Sequence, residues 1–378
     1  MFFRNLFFFR FGVGVIASPD AFERALDSHR LREIGPLELA TNGFVSPIGR
    51  DDDALALIQE RAALFAVGTY EKLLPSAVVA EELAHRIAQL VDREGRRPGA
   101  KERKRMKEAI VDEFLPRAFV RYSRTLAYID LDGGWLVIDT SSRRAAEDVV
   151  SRIREALGRF PCTPLAPEES PRNLMTGWLI DRMPAGFVLG EECELRDPAE
   201  AGAIVRCRRQ DLESDEVREH LRSGKQVFQL GAVFDDRVSF VLGEDLVVRK
   251  LRFLDVVLDQ LGDSSQESVR AEVDATFALM RLELRAVLVR LVELFKLPAP
   301  GKEKLVIDGG DAPMEMRDAA RAPKLNAELL YAAGKLAPRR GSGIDSVTIS
   351  GPVGDSVTLT AEDGDRIRAA AKAARKGR

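Results

Sequence analysis

The sequence predicts an α+β fold with mainly antiparallel sheets and a projecting helical hairpin. Three observations carry that expectation. Residues 127–140, AYIDLDGGWLVIDT, set two β-rich runs around Asp132-Gly133-Gly134, the chemistry of a tight hairpin turn. Residues 226–253 read as a strand meander with turns at Asp235-Asp236 and Gly243-Glu244-Asp245. Elsewhere apolar residues recur at threes and fours, the period of amphipathic helices.

The elements follow in order. Residues 1–14, MFFRNLFFFRFGVG, place Arg4, Asn5 and Arg10 among phenylalanines. This run is too short and too interrupted for a signal peptide or a spanning helix, so a largely buried strand is expected. Residues 20–32 read as a helix and 61–70 as a strand. Pro75-Ser76 start a helix with Val79, Leu83, Ile87 and Leu90 on one face. It ends before Gly95, and Pro98-Gly99 enforces the break. A second helix over 101–114 sets Met106, Ile110 and Phe114 on one face, completing a helical hairpin. Ser142 can cap a helix with the stripe Ala146, Val149, Ile153 and Leu157, closed by Gly158. Pro161, Pro164, Pro167 and Pro171 read as a linker.

In the second half, residues 186–190 and 204–209 read as strands, and Ser214 caps a short helix ending near Gly224. A long helix over 266–296 carries Val269, Val273, Phe277, Met280, Leu284, Leu288, Leu291 and Phe295 as a stripe suited to a core or a partner interface. Beyond Leu297 the reading is a linker over 298–340 with a short helix near 326–333, a small hairpin within 346–359 and a basic helix over 363–376. Three domains result: 1–165 with the basic hairpin 76–114, 166–297, and an extension over 298–378.

The 378 residues hold 57 Lys+Arg against 60 Asp+Glu, a net charge of −3. That balance excludes a uniformly basic coat but not a local one. Arg93, Arg96, Arg97, Lys101, Arg103, Lys104, Arg105 and Lys107 lie together, opposed only by Glu94 and Glu102. Arg103, Lys104 and Lys107 fall opposite the apolar stripe, so these cations face outward. Arg117, Arg121 and Arg124 follow, and a smaller cluster is Arg206, Arg208 and Arg209 beside Gln210. Residues 298–378 carry 14 basic and 11 acidic residues, which leaves a net −6 for the body around this basic stretch. Cations on a projecting hairpin can neutralise phosphates without reading sequence. A solvated charged face is the alternative reading. Aromatics do not interleave with these cations, so base stacking is not expected among them.

Catalytic signatures are sparse. The sequence has no GxxxxGK[ST] loop and no GxGxxG after a strand, and His29, His85 and His220 stand alone. No metal or cofactor is expected. Asp130, Asp132 and Asp139 are the best enzymatic candidates, as ligands of a two-metal nuclease. Turn chemistry explains Asp132 equally well. Cys162, Cys193 and Cys207 are too few for a disulfide framework and suit a reducing cytosol. A scaffold that uses the long helix as its partner surface is a further alternative.

FRNLFFFR at the N-terminus, Gly43-Phe44-Val45-Ser46-Pro47-Ile48-Gly49, Glu71-Lys72-Leu73-Leu74-Pro75-Ser76, Leu115-Pro116-Arg117-Ala118-Phe119, Arg209-Gln210-Asp211-Leu212 and Lys250-Leu251-Arg252-Phe253 occur in that order. By these motifs the chain resembles the RdgC family of bacterial recombination-associated proteins over about residues 1–297. The resemblance implies a mixed α/β, horseshoe-shaped protomer that pairs into a ring-shaped homodimer. It also implies a non-enzymatic role on DNA in the cytoplasm, at the nucleoid. The ring would hold duplex DNA, with single strands as an alternative ligand, and restrain RecA-type strand exchange. Carried over by position, Arg96, Arg97, Lys101, Arg103, Lys104, Arg105, Lys107, Arg117, Arg121, Arg209 and Gln210 would contact DNA. Phe119 would close the dimer, with plain core burial as its alternative. Pro98-Gly99 and the extension after Leu297 depart from the family pattern.

Overall fold

A computed structural model describes residues 2–198, 203–261 and 268–298, together with the backbone of two strands near the C-terminus. The chain divides into two compact units, Met1–Val306 and Ile307–Arg378. Among the described residues of the first unit are two sheets. The first contains β1 (Phe7–Phe11), β2 (Ala40–Val45), β3 (Ala56–Gln59), β4 (Ala62–Leu73), β5 (Phe119–Asp130), β6 (Trp135–Ile138) and β7 (Cys162–Pro164). Its order is β2-β4-β5-β6-β1-β7, with β3 also paired to β4. The second contains β8 (Phe187–Arg196), β9 (Ile204–Arg208), β10 (Gln226–Phe234), β11 (Val238–Gly243) and β12 (Val248–Phe253), in the order β12-β11-β10-β8-β9. All the strand pairings are antiparallel, as expected.

The helices are α1 (Pro19–Asp27), α2 (Ser76–Glu94), α3 (Ala100–Phe114), α4 (Arg143–Leu157), α5 (Pro171–Ile180), α6 (Asp215–Arg222), α7 (Asp255–Leu258) and α8 (Val269–Leu294). Their boundaries follow local chemistry. Ser18, Ser142, Ser170 and Ser268 accept an N–H of the first turn, and Gly95 ends α2 in the left-handed region at φ 69°. No helix of the described residues is long and apolar enough to cross a membrane.

The first sheet is buried on both faces. In β4, Ala63, Phe65 and Val67 join α1 and α4 in one core, while Ala62, Leu64 and Ala66 join the second sheet and α8 in another. This two-sided burial explains the near-continuous apolar run of β4. Tyr128 of β5 packs edge-on to Phe277 of α8 with centroids 5.7 Å apart. Arg237 holds the buried Glu283 of α8 through two hydrogen bonds of 2.9 and 2.6 Å.

The N-terminal segment stitches the sheets together. β1 lies between β6 and β7. The residues before it reach β12: Leu6 and Val248 exchange backbone hydrogen bonds of 2.8 and 3.0 Å, and Phe2 stacks on Phe253 at 4.4 Å. The segment is therefore a buried strand and a bridge in one.

Several expected boundaries change. The proline-rich linker contains β7 and α5. Cys162, Thr163 and Pro164 pair with the free edge of β1, and proline is tolerated on such an edge strand because its outer side has no neighbouring strand to receive an N–H. α1 stops at Asp27 because residues 29–31 turn to meet β2, where Leu31 N–H donates to Phe44 O at 2.9 Å. Gly43 permits this approach, since a Cβ there would lie 2.5 Å from the Leu31 nitrogen. The strand expected over 186–190 runs on to Arg196. Val269 of the expected α8 stripe is exposed. Cys193 and Cys207 are buried cross-strand neighbours, Cys162 is half-buried, and all three thiols are free. Burial pushes the Cys193 thiol up, so it is a packing residue rather than a nucleophile.

In the second unit, β13 (Ser346–Ser350) and β14 (Ser356–Thr360) form the antiparallel hairpin read from the sequence. The helices expected near 326–333 and over 363–376, and the linker over 299–340, lie outside the described residues.

Candidate nucleic-acid interface

β4 and β5 pair along their whole length, from Ala62↔Asp130 out to Leu73↔Phe119. β6 pairs only with residues 127–130 of β5, so the outer part of β5 extends past it. The α2–α3 hairpin is inserted at the tip of this long ribbon. Its helices pack on one another, and Val79 of α2 and Ile110 of α3 are buried. Arg86 ties them, accepted by Glu82 and Glu113 at 2.7 Å each. That hydrogen bond holds the Glu113 carboxyl below its ordinary range. Gly95 to Gly99 form the turn, where Pro98 is buried and Gly99 precedes α3. The hairpin is thus broken where Pro98-Gly99 indicated.

Arg97, Lys101, Arg103, Lys104, Arg105 and Lys107 are all exposed. Among the described residues, Arg97, Lys101, Arg103, Arg105 and Lys107 have no carboxylate partner, and Lys104 has only Glu108 at 3.9 Å. Arg96 differs. It is bound by Glu102 at 2.8 and 3.0 Å and by Glu94 at 2.8 Å. The Arg96 hydrogen bond holds the Glu102 carboxyl below its ordinary range. This pairing therefore persists above the usual carboxylate pKa and is lost as pH falls through the lowered one. Arg96 is thus already partnered within the turn.

Arg117 lies in the short 3-10 turn at the foot of α3 and is exposed. Arg121 stands on β5 and pairs with Glu71 of the facing register position. Arg124 donates to Ser46 O at 3.2 Å. The structure thus gathers Arg117 and Arg121 at the ribbon end that carries the hairpin.

Arg209 and Gln210 occupy another place, after edge strand β9. They line an open cleft of about 780 Å3 with Arg182, Arg218, Asp211 and Glu213. Arg209 has φ 52° and is exposed, and Gln210 donates to Glu216 at 3.2 Å. Arg206 is bound to Glu194, its cross-strand partner, at 2.8 Å. No described hydrogen bond or ion pair links this group to the hairpin cations.

Phe119 is 84 % exposed, which overturns core burial as its role. Leu73 opposite it, Val120 beside it and Val78 at the start of α2 are exposed as well. These exposed apolar residues lie where the basic finger leaves the ribbon.

The three carboxylates each have a local task. Asp130 accepts the N–H groups of Asp132 and Gly133, both at 3.1 Å, and so shapes the β5–β6 turn. Asp132 pairs with Arg61 at 2.7 Å. Asp139 accepts the N–H groups of Arg4 and Asn5 at 2.9 Å, and burial pushes its carboxyl up. Among the described residues no group of three or more His, Cys, Asp or Glu is placed to hold a metal ion.

The sequence reading missed a second basic feature, the Arg50–Tyr122–Tyr70 column on the β4–β5 ribbon. The Tyr rings are 5.3 Å apart, and the Arg50 guanidinium lies 4.9 Å above Tyr122. Only the β4–β5 register brings these residues together.

Fold and site define a mixed α/β protein that carries an exposed cationic helical hairpin at the tip of an antiparallel ribbon. A family model described as "RdgC: Putative exonuclease, RdgC" matches residues 1–297, and the chain belongs to that family. The recombination-associated protein RdgC of Xanthomonas campestris pv. campestris (strain B100) is 49% identical over 299 residues, covering 79% of this chain and 98% of that protein. The protein of the same name from Xanthomonas axonopodis pv. citri (strain 306) is 48% identical, covering 79% and 99%. That from Stenotrophomonas maltophilia (strain R551-3) is 47% identical over the same shares. Residues 298–378 lie beyond the family match.

Proposed function

We propose that this recombination-associated protein is a non-enzymatic DNA clamp. Two horseshoe-shaped protomers close into a ring-shaped homodimer around duplex DNA. Arg97, Lys101, Arg103, Lys104, Arg105 and Lys107, with Arg117, contact phosphates inside it, and Arg121, already paired with Glu71, adds a weaker contact. Phe119 and its apolar neighbours meet the other protomer and close the ring. Arg209 and Gln210 make a second, smaller contact to DNA, and Arg96 orders the hairpin turn more than it binds. The bound ring restrains strand exchange by a RecA-type recombinase by occupying its DNA, in the cytoplasm at the nucleoid.

The observation that carries this reading is the set of exposed hairpin cations without carboxylate partners. Cations already paired within the protein gain less from phosphate than unpaired ones, whose contacts release counterions from DNA. Phosphate contacts position a protein without reading bases, so sequence preference is low. The engagement of Asp130, Asp132 and Asp139 in turn, ion pair and strand end supports a clamp over the exonuclease of the family description.

A gel shift with linearised plasmid DNA, with and without magnesium, tests this directly. The expected result is a retarded, undegraded plasmid in both lanes. Magnesium-dependent cleavage that Asp130→Ala abolishes would replace the clamp with a nuclease.

A further inference from the structure

We infer that Tyr70, Tyr122 and Arg50 form a stacking platform for the unpaired bases of single-stranded DNA. The inference rests on the DNA-binding reading above and adds a site to it, apart from the hairpin cations.

Tyr70 and Tyr122 are register partners on β4 and β5. Directly opposed residues share one face of a sheet, so the rings meet. Their centroids lie 5.3 Å apart at 46°, and the Arg50 guanidinium sits over Tyr122 at 4.9 Å. Arg50 is exposed and has no carboxylate partner among the described residues. It leaves a braced loop, in which Ser46 Oγ accepts the Ile48 N–H at 3.2 Å and Arg124 donates to Ser46 O at 3.2 Å.

The position of the pair separates it from core aromatics. On the same face, farther along the ribbon, Leu64, Ala66, Leu126 and Tyr128 are buried in the core shared with α8. Tyr128 is wholly buried, whereas Tyr70 and Tyr122 emerge past the edge of that core and are only half-buried. Among the described residues neither of their hydroxyls has a hydrogen-bond partner. Two half-buried rings beside an exposed guanidinium bring aromatic surface and a positive charge together.

That combination is the chemistry that binds single strands. Bases stack on aromatic rings or on a guanidinium plane, and the cation holds the adjoining phosphate. Paired bases inside a duplex stack on each other and cannot reach a protein ring without unstacking. The alternation of β5 sends Arg121 to the opposite face from Tyr122, so the platform and that phosphate contact are separable.

The test is fluorescence anisotropy of labelled oligothymidine and of a mixed-sequence duplex of equal length, with the full-length protein. Stacking is worth about 1–3 kcal/mol per base, so Tyr122→Leu is expected to weaken oligothymidine binding about tenfold. Duplex binding should change less than about twofold, and Tyr122→Phe should keep single-strand affinity because the ring remains. Arg50→Ala, at an exposed side chain that leaves the core intact, should weaken oligothymidine binding in the same selective way. Equal loss of both ligands in Tyr122→Leu and Arg50→Ala, or no loss of either, would overturn the platform. A wild-type protein that binds duplex but not oligothymidine would overturn it while leaving the clamp standing. A protein that binds neither would overturn the clamp and the platform with it.

Discussion

Replacing Arg103, Lys104 and Lys107 together by alanine is expected to flatten the salt dependence of duplex binding. Each phosphate neutralised contributes about 0.9 to the slope of log affinity against log salt, so three lost contacts make it shallower by about 2.7. The three side chains are exposed, and the single ion pair among them, Lys104–Glu108 at 3.9 Å, is of the weak surface kind. They are therefore free to exchange water and salt for phosphate. Arg96→Ala is the internal comparison. Glu94 and Glu102 already hold that guanidinium, so its loss should move the slope less than that of any one unpaired neighbour. Binding isotherms across a salt series measure both. An unchanged slope in the triple variant would remove the hairpin from the interface.

The second large effect is expected at Phe119. Its side chain is 84 % exposed in the protomer, so Phe119→Ala should leave the stability of the dissociated protomer nearly unchanged, within about 0.5 kcal/mol for a surface site. Aromatic anchors at the centre of an interface cost about 2 kcal/mol or more on truncation, and a two-fold axis uses each anchor twice. With both copies truncated the loss is about 4 kcal/mol, so the dimer dissociation constant should rise on the order of a thousandfold, read by sedimentation equilibrium on dilution. A drop in melting temperature with an unchanged dimer would make Phe119 a folding residue.

These two predictions depend on different amounts of sequence information. The hairpin was legible because its signals are local. Gly95, Pro98 and Gly99 mark the turn, and the 3.6-residue period of Met106, Ile110 and Phe114 sets the cations on the outer side. The β5–β6 turn was legible for the same reason, through Asp132-Gly133-Gly134, while the Asp130 carboxylate that accepts the turn N–H groups was not. The core faces of β4 were only half legible. A strand buried on both sides is a continuous apolar run, which does not say which partner covers which face.

What the sequence hid was set by pairing at a distance. The register β4–β5 joins Tyr70 to Tyr122, and β8–β9 joins Glu194 to Arg206. No local pattern announces either pair. The first makes a candidate site out of two ordinary strand tyrosines, and the second removes a cation from the apparent basic cluster. Phe119 was ambiguous in sequence because an apolar residue near a strand start fits a core or an interface alike. The proline-rich stretch hid β7 because an edge strand of three residues has too short a pattern to read.

The clamp itself is tested most directly by retention on circular DNA. The protein is loaded on a nicked circular plasmid at low salt, washed at high salt, and the plasmid is then linearised. A closed ring should stay on the circle through the wash and slide off once an end is cut. Equal loss from circular and linear plasmid in the high-salt wash would contradict encirclement.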